Sequence, residues 1–140
     1  LRILVIDDDG DDIYFFIKAV DMIDPNIKLH TAIDGEAGLK LVRSMERLPD
    51  FIFLDVNMPR MNGTQCLKAL KADAKLSHIP VFIMSTSRTA DEMQEMRQLG
   101  CAAYFEKPPT LRELTSIISG VIGHDGKKSA KHTVPSDSSS

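Results

Sequence analysis

Four short apolar runs in this chain end in polar side chains whose types can do chemistry. In chain order these side chains are Asp7, Asp8 and Asp9; Asp55; Ser85 and Thr86; and Glu106 and Lys107. Two carboxylates about 4 Å apart repel each other by roughly 4 kcal/mol at an effective dielectric constant of about 20, so a cluster of them favours a cation. Because neither Cys nor His stands near these acids, the oxygen ligands favour Mg²⁺ or Mn²⁺ over zinc.

An aspartate, a divalent cation, a lysine and a hydroxyl together are typical of a phosphoryl-transfer site. Asp55 is the candidate nucleophile, while Lys107 and Ser85 are suited to bind the other phosphoryl oxygens. Taken singly, an Asp after a strand is more often a turn or cap residue, so the joint placement at four strand ends carries the interpretation. Asp9, together with Asp11 and Asp12, is assigned to the first turn of the first helix, where the helix dipole favours acids.

Five apolar runs of strand length alternate with segments whose apolar residues recur at helical spacing. The predicted strands are Ile3–Ile6, Ile27–Ala32, Phe51–Leu54, Val81–Ser85 and Ala102–Phe105. This alternation predicts an α/β fold: a doubly wound, five-stranded parallel sheet of order 2-1-3-4-5, flavodoxin-like (βα)5, with helices on both faces. The carboxyl ends of the strands then meet at one edge, so we expect the polar side chains in one crevice.

Some helix boundaries are also predicted by local signals. The first helix is expected to turn Ile17 toward the core with its other apolar residues, and the second to close just before Pro49. Thr89 and Glu92 have the spacing of a capping box at the start of the fourth helix, and Gly100 is expected to end it.

Length and composition predict one globular domain. The chain has 140 residues, and its 17 basic and 20 acidic residues give a net charge of −3, which argues against binding nucleic acid through bulk positive charge. No apolar run is long enough for a membrane span and no secretion signal is apparent, so we expect a cytoplasmic protein. Residues 1–123 are expected to form the domain, and residues 124–140, rich in Ser and Lys, a disordered tail.

The cysteines and histidines show no pattern that predicts a site. Cys66 and Cys101 are too few for a disulfide scaffold and are expected to be inert. The four histidines lack metal-ligand spacing and are expected at the surface: His30, His78, His124 and His132.

Four strings of residues resemble the receiver domain of bacterial two-component response regulators. They are ILVIDDD, FIFLDVNMPRMNG, PVFIMSTS and YFEKP, and they occur in the order found in that family. The resemblance covers roughly Leu1 to Gly123, and two of the strings are most similar to small stand-alone receivers, including those paired with phytochrome-type kinases.

The resemblance implies a metal-assisted phosphorylation site. Asp55 matches the phosphoacceptor, which takes a phosphoryl group from a kinase phosphohistidine. Asp8 matches the direct metal ligand, Asp7 the acid that holds the metal through water, and Asn57 the residue whose backbone carbonyl contacts the metal. The metal that the family uses at these positions is Mg²⁺ (or Mn²⁺).

It also implies residues that respond to phosphorylation. Ser85 matches the switch hydroxyl, Tyr104 the switch aromatic, and Lys107 the phosphoryl-binding lysine, which usually precedes a cis proline, here Pro108. Pro109 departs from the family pattern, in which an aromatic residue is frequent.

The implied function is a signalling switch that a sensor histidine kinase or a histidine phosphotransfer protein phosphorylates and that acts through protein contacts, including contact with a second copy of itself. An intermediate phosphorelay station or a phosphate sink is the alternative. The chain is not expected to be an enzyme, although it would catalyse its own phosphorylation and slow dephosphorylation.

Two readings of other classes are weaker. A phosphatase of the haloacid-dehalogenase type needs a second Asp two positions after the nucleophile, where this chain has Asn57. A degenerate receiver that only binds partners would lack some of the acidic, hydroxyl and lysine positions, all of which are present.

Overall fold

A computed structural model describes residues 1–58, 61–86 and 89–126. Five strands alternate with five helices along the chain. The strands are β1 (Arg2–Ile6), β2 (Lys28–Ala32), β3 (Phe51–Asp55), β4 (Val81–Ser85) and β5 (Ala103–Glu106). The helices are α1 (Gly10–Ile23), α2 (Gly35–Ser44), α3 (Gly63–Ala72), α4 (Ala90–Gln98) and α5 (Leu111–Gly126).

The sheet has the predicted topology. Its strand order is β2-β1-β3-β4-β5, and every neighbouring pair is parallel. All five residues of β3 are buried, whereas β2 at the edge has one buried residue, Ala32, and its other residues are half-buried or exposed. The doubly wound fold class is therefore confirmed, and each strand boundary lies within one residue of its prediction.

Two hydrophobic clusters cover the two faces of the sheet. One face, here called the α1/α5 face, contains Val5, Phe53 and Met84 packed against residues of α1 and α5. The other, here called the α3/α4 face, contains Ile83 packed against residues of α2, α3 and α4, among them the fully buried Met96. Because side chains alternate along a strand, the face on which each strand-end residue lies follows from its position.

Three helix boundaries or faces differ from the sequence prediction. α2 ends at Ser44, whose hydroxyl donates to the carbonyl of Leu41, and Met45 has an extended backbone. The helix therefore ends several residues before Pro49, where the sequence predicted its end. Ile17 is 46% exposed on α1 instead of facing the core. α5 continues to Gly126, three residues past the predicted end of the domain, and the rest of the predicted tail lies outside the described residues.

The end of α4 agrees with its prediction. Gly100 follows the helix with φ of +97°, a left-handed conformation that glycine adopts without the Cβ clash of other residues. Among the helices that the structure describes, none combines the length and apolar character needed to cross a bilayer.

Candidate functional site

The candidate site lies at the carboxyl ends of β1, β3 and β5. Asp55 is the last residue of β3, and Asp7 follows β1 directly. By strand alternation, both residues lie on the α1/α5 face, as Val5 and Phe53 do. Lys107 follows β5 on the same face, two residues after Phe105, and the three polar side chains therefore converge.

Three carboxylates form a cluster that fits a divalent cation. One oxygen from each of Asp7, Asp8 and Asp55 can be chosen so that all three lie within 4.8 Å of one another. Asp7 and Asp55 are buried, whereas Asp8 is exposed and open to solvent. An all-oxygen donor set with one open side suits Mg²⁺, which binds through a few carboxylates and keeps several waters.

Lys107 is the cation that bridges this cluster. Its Nζ lies 3.0 Å from Asp7 Oδ2, 3.6 Å from Asp55 Oδ2 and 2.7 Å from Asp12 Oδ2. Burial alone would lower the pKa of Lys107, but the hydrogen bond to Asp12 and the charges of Asp7 and Asp55 outweigh it and raise that pKa. Lys107 is therefore a fixed ammonium within the cluster.

Burial makes the carboxylates costly to ionise in spite of Lys107. It raises the pKa of Asp55 from 3.8 to about 6, against the opposing effects of the Asn57 N–H and of the Lys107 charge. Burial likewise raises the pKa of Asp7, although the N–H of Asp9 and the charge of Lys107 oppose the rise. One ammonium does not balance the acids, so a divalent cation fits the charge of the site.

The loop after β3 is held close to Asp55. The backbone N–H of Asn57 donates to Asp55 Oδ1 at 3.2 Å, and its side-chain amide donates to Thr86 Oγ1 at 3.5 Å. A Cβ on Gly63, the first residue of α3, would lie 2.3 Å from Val56 Cα and 2.8 Å from the carbonyl oxygen of Asp55. Only glycine permits this approach of α3 to the loop after β3.

A cavity of about 210 Å³ adjoins the cluster on the α1/α5 face. Its apolar lining includes Phe15, Phe16, Pro108 and Leu114, and its polar lining includes Asp55. Apolar walls lower the local dielectric constant, which strengthens the interaction between Lys107 and the acids.

Ser85 and Tyr104 lie on the α3/α4 face, away from the direction in which Asp55 points. Ser85 is fully buried, and by strand alternation it lies on the same face of β4 as Val81 and Ile83. Tyr104 packs against the hydrophobic cluster on that face. The hydroxyl of Ser85 donates to Glu92 Oε2 at 2.9 Å, and the hydroxyl of Tyr104 donates to the same oxygen. Lys107 lies among the carboxylates as expected, whereas the hydroxyl of Ser85 contacts Glu92.

Two residues of this region were assigned only local roles from the sequence. Asp12, assigned to the first turn of α1, pairs with Lys107, which lies 95 positions away in the chain. The backbone N–H of Glu92 donates to Thr89 Oγ1, as a helix cap requires, but the carboxylate of Glu92 accepts from the hydroxyls of Ser85 and Tyr104. The position of Asp12, one helical turn after the strand-end acids, indicates that it lies near them, but it does not identify Lys107 as its partner.

Of three other expectations, two differ from the structure and one agrees with it. The Lys107–Pro108 peptide bond is trans instead of cis; trans is the lower-energy form of X–Pro bonds by about 0.5–1 kcal/mol. His30 is half-buried rather than on the surface, and its Nε2 has no hydrogen-bond partner among the described residues. Burial raises the pKa of Cys66 to about 12 and also raises that of Cys101, which agrees with inert thiols.

Comparison with known proteins gives one consistent result. The family model described as the response regulator receiver domain matches residues 3–119. The polar-differentiation response regulator DivK of Brucella anthropi is 33% identical over 90 residues, which cover 64% of this chain and 72% of that protein.

Solved structures show the same fold. The phosphorylated cyanobacterial phytochrome response regulator RcpA superposes with a TM-score of 0.80 at 27% identity, covering 96% of this chain and 98% of that one. The Mn²⁺-bound form of the response regulator Rcp1 superposes with a TM-score of 0.77 at 23% identity, covering 96% of this chain and 99% of that one.

Proposed function

Since the chain belongs to the response regulator receiver family, we propose that it is a signalling switch phosphorylated on Asp55 in the presence of Mg²⁺. The observation that carries this proposal is the convergence of Asp7, Asp8 and Asp55 with Lys107 at the carboxyl edge of the sheet. The phosphoryl group would come from a phosphohistidine of a sensor histidine kinase or of a histidine phosphotransfer protein.

The proposed step is an in-line transfer between two side chains. A carboxylate oxygen of Asp55 attacks the phosphorus, an O–P bond forms, the N–P bond of the phosphohistidine breaks, and the imidazole nitrogen keeps the electron pair and takes a proton from water. Lys107 would neutralise a phosphoryl oxygen, a role that its distance of 3.6 Å from Nζ to Asp55 Oδ2 supports. Hydrolysis of the resulting acyl phosphate by water would end the signal.

The residues fit a divalent cation. Asp7, Asp8 and Asp55 would hold it, with the backbone carbonyl of Asn57 as a further oxygen ligand. When bound, Mg²⁺ supplies positive charge that offsets the phosphoryl oxygens and the ionised acids. The raised pKa values of Asp55 and Asp7 support this part of the proposal because burial makes both acids costly to ionise, and a bound cation would offset that cost.

The partners and the location are part of the same proposal. A phytochrome-type kinase is a candidate donor, because the similarity to the phytochrome response regulator RcpA extends over 96% of the chain. The output would be contact with another protein or with a second copy of this chain. Because histidine kinases draw on ATP, we place the phosphoryl transfer in the cytoplasm.

The proposal is tested by intact-mass measurement after incubation with acetyl phosphate and Mg²⁺. We expect the wild type to gain one phosphoryl group and Asp55→Asn to gain none. Asp50→Asn, which removes an exposed carboxylate at the opposite end of β3, is the matched control and is expected to gain the group. If Asp55→Asn were phosphorylated at the wild-type rate, the assignment of the phosphoacceptor would be wrong.

A further inference from the structure

Glu92 on α4 joins the two residues that the family resemblance assigns to the switch. Its Oε2 accepts hydrogen bonds from the hydroxyl of Ser85, at 2.9 Å, and from the hydroxyl of Tyr104. The backbone of Glu92 is fixed by the helix cap, because its N–H donates to Thr89 Oγ1 at 3.2 Å. One carboxylate oxygen on the first turn of α4 thus contacts side chains of β4 and β5.

The alternation of the sheet shows what this contact does to Ser85. Ser85 lies on the α3/α4 face with Ile83, whereas Asp55 lies on the α1/α5 face with Phe53. The carbonyl of Ser85 is held by the N–H of Lys107 at 2.7 Å, so its backbone is tied to β5. The hydroxyl therefore reaches a phosphoryl group on Asp55 only by leaving Glu92.

We propose that Glu92 is a positioning residue that holds the Ser85 hydroxyl and Tyr104 in the unphosphorylated arrangement and so lowers the affinity of the Asp55 site for a phosphoryl group. This inference rests on the proposed function. Hydrogen bonds to a charged acceptor are stronger than those between neutral groups, so a carboxylate retains the hydroxyl better than an amide. A ligand shifts such an equilibrium only by its differential interaction with the two arrangements, and Glu92 stabilises the unphosphorylated one.

The test measures binding of beryllofluoride with Mg²⁺, a stable mimic of the phosphoryl group, to the intact chain. Glu92→Gln keeps the shape of the side chain and removes its charge, and we expect its beryllofluoride affinity to rise about fivefold. Asp91→Asn removes an exposed charge from the same helical turn and is the matched control. Its affinity should stay within about twofold of the wild type.

A double-mutant cycle with Ser85→Ala separates positioning from a general charge effect. If Glu92 acts through the hydroxyl, Glu92→Gln should give no gain in affinity in the Ser85→Ala background. A gain of the same size in that background would mean that the charge of Glu92 repels the anion through space, and the inference would be wrong.

Tyrosine fluorescence reads the resting state without any phosphoryl mimic. The chain has two Tyr and no Trp. In a Tyr14→Phe background, tyrosine fluorescence therefore comes from Tyr104 alone. A carboxylate that accepts the phenol proton quenches this emission, so Glu92→Gln should raise it, while Asp91→Asn should leave it unchanged.

The outcomes distinguish the inference from the proposed function. If wild type and Glu92→Gln bind beryllofluoride with equal affinity while Asp55→Asn does not bind it, the inference about Glu92 is wrong. The proposed function is unaffected by that result. Lack of binding by the wild type itself overturns the proposed function and the inference with it.

Discussion

Lys107 Nζ lies closer to Asp12 Oδ2, at 2.7 Å, than to Asp7 or to the proposed phosphoacceptor Asp55, at 3.0 and 3.6 Å. The lysine at the end of β5 is thus held from the first turn of α1. A residue outside the carboxylate cluster sets the position of the ammonium that faces it.

We predict that Asp12→Asn slows phosphorylation of Asp55 by acetyl phosphate about two- to fivefold. The amide is a weaker acceptor for the ammonium, so Lys107 is less restrained beside Asp55. The side chain of Asp12 is 37% exposed, so the loss in folding stability should not exceed about 1 kcal/mol. Rates are measured by intact mass, with Asp11→Asn in the same turn as the control.

The same substitution in a Lys107→Ala background isolates the contact. Asp12→Asn should then have no further effect on the rate, since the ammonium that it positions is gone. Equal losses in the two backgrounds would contradict a role that acts through Lys107.

We predict that Mg²⁺ at saturation raises the melting temperature of the wild type by several degrees. A ligand at about 100 times its Kd adds about 2.7 kcal/mol to the stability of the folded state. Asp8→Ala removes an exposed member of the cluster and should lose most of this rise, whereas Asp11→Ala, which removes an exposed acid of α1, should keep it. A full rise in Asp8→Ala would place the ion elsewhere.

The fold and the carboxylate cluster follow from the sequence because both depend on local patterns. Short apolar runs specify the strands, and a parallel sheet brings their carboxyl ends to one edge. Asp7, Asp55 and Lys107 are therefore placed correctly once the strands are known. The separate face of Ser85 also follows from the alternation of β4, in which Val81, Ile83 and Ser85 share one side.

The side-chain partners of Asp12 and Glu92 could not be predicted from local sequence patterns. Each occupies a position in the first turn of a helix that already has a local explanation, a helix-dipole acid for Asp12 and a capping box for Glu92. Their side-chain partners belong to other parts of the fold, and Lys107 is 95 positions from Asp12. Only the packing of α1 and α4 on the sheet shows which partner the carboxylate prefers.

We predict that Gly63→Ala destabilises the protein by about 1–3 kcal/mol and slows phosphorylation. The new Cβ would meet Val56 Cα at 2.3 Å and the carbonyl oxygen of Asp55 at 2.8 Å, both backbone atoms that cannot rotate away. Stability is measured by urea unfolding. The control is Gly120→Ala on α5, where a Cβ meets nothing within 4 Å and alanine should gain up to about 1 kcal/mol. Equal stabilities of the two variants would contradict the close approach of α3.

We predict that Asp55→Asn stabilises the Mg²⁺-free protein at pH 8 and that the gain disappears as the pH falls toward 4. Burial raises the pKa of Asp55 from 3.8 to about 6, so the folded state resists ionisation of this carboxyl. Below pH 3.8 the carboxyl is protonated in both the folded and the unfolded chain, and it costs no stability. As the pH rises from 3.8 to about 6, the carboxyl ionises in the unfolded chain but stays protonated in the folded chain, so the stability of the wild type falls by on the order of 3 kcal/mol at most and then stays constant.

The difference in unfolding free energy between wild type and Asp55→Asn, measured from pH 4 to pH 8, tests this. It should grow between pH 4 and pH 7 and then level off, and saturating Mg²⁺ should reduce it because the ion stabilises the ionised acids. Asp21→Asn, which removes an exposed carboxylate from α1, should show no such pH-dependent gain. A difference independent of pH would mean that folding does not raise the pKa of Asp55. The electrostatic argument for a cation at this site would then be wrong.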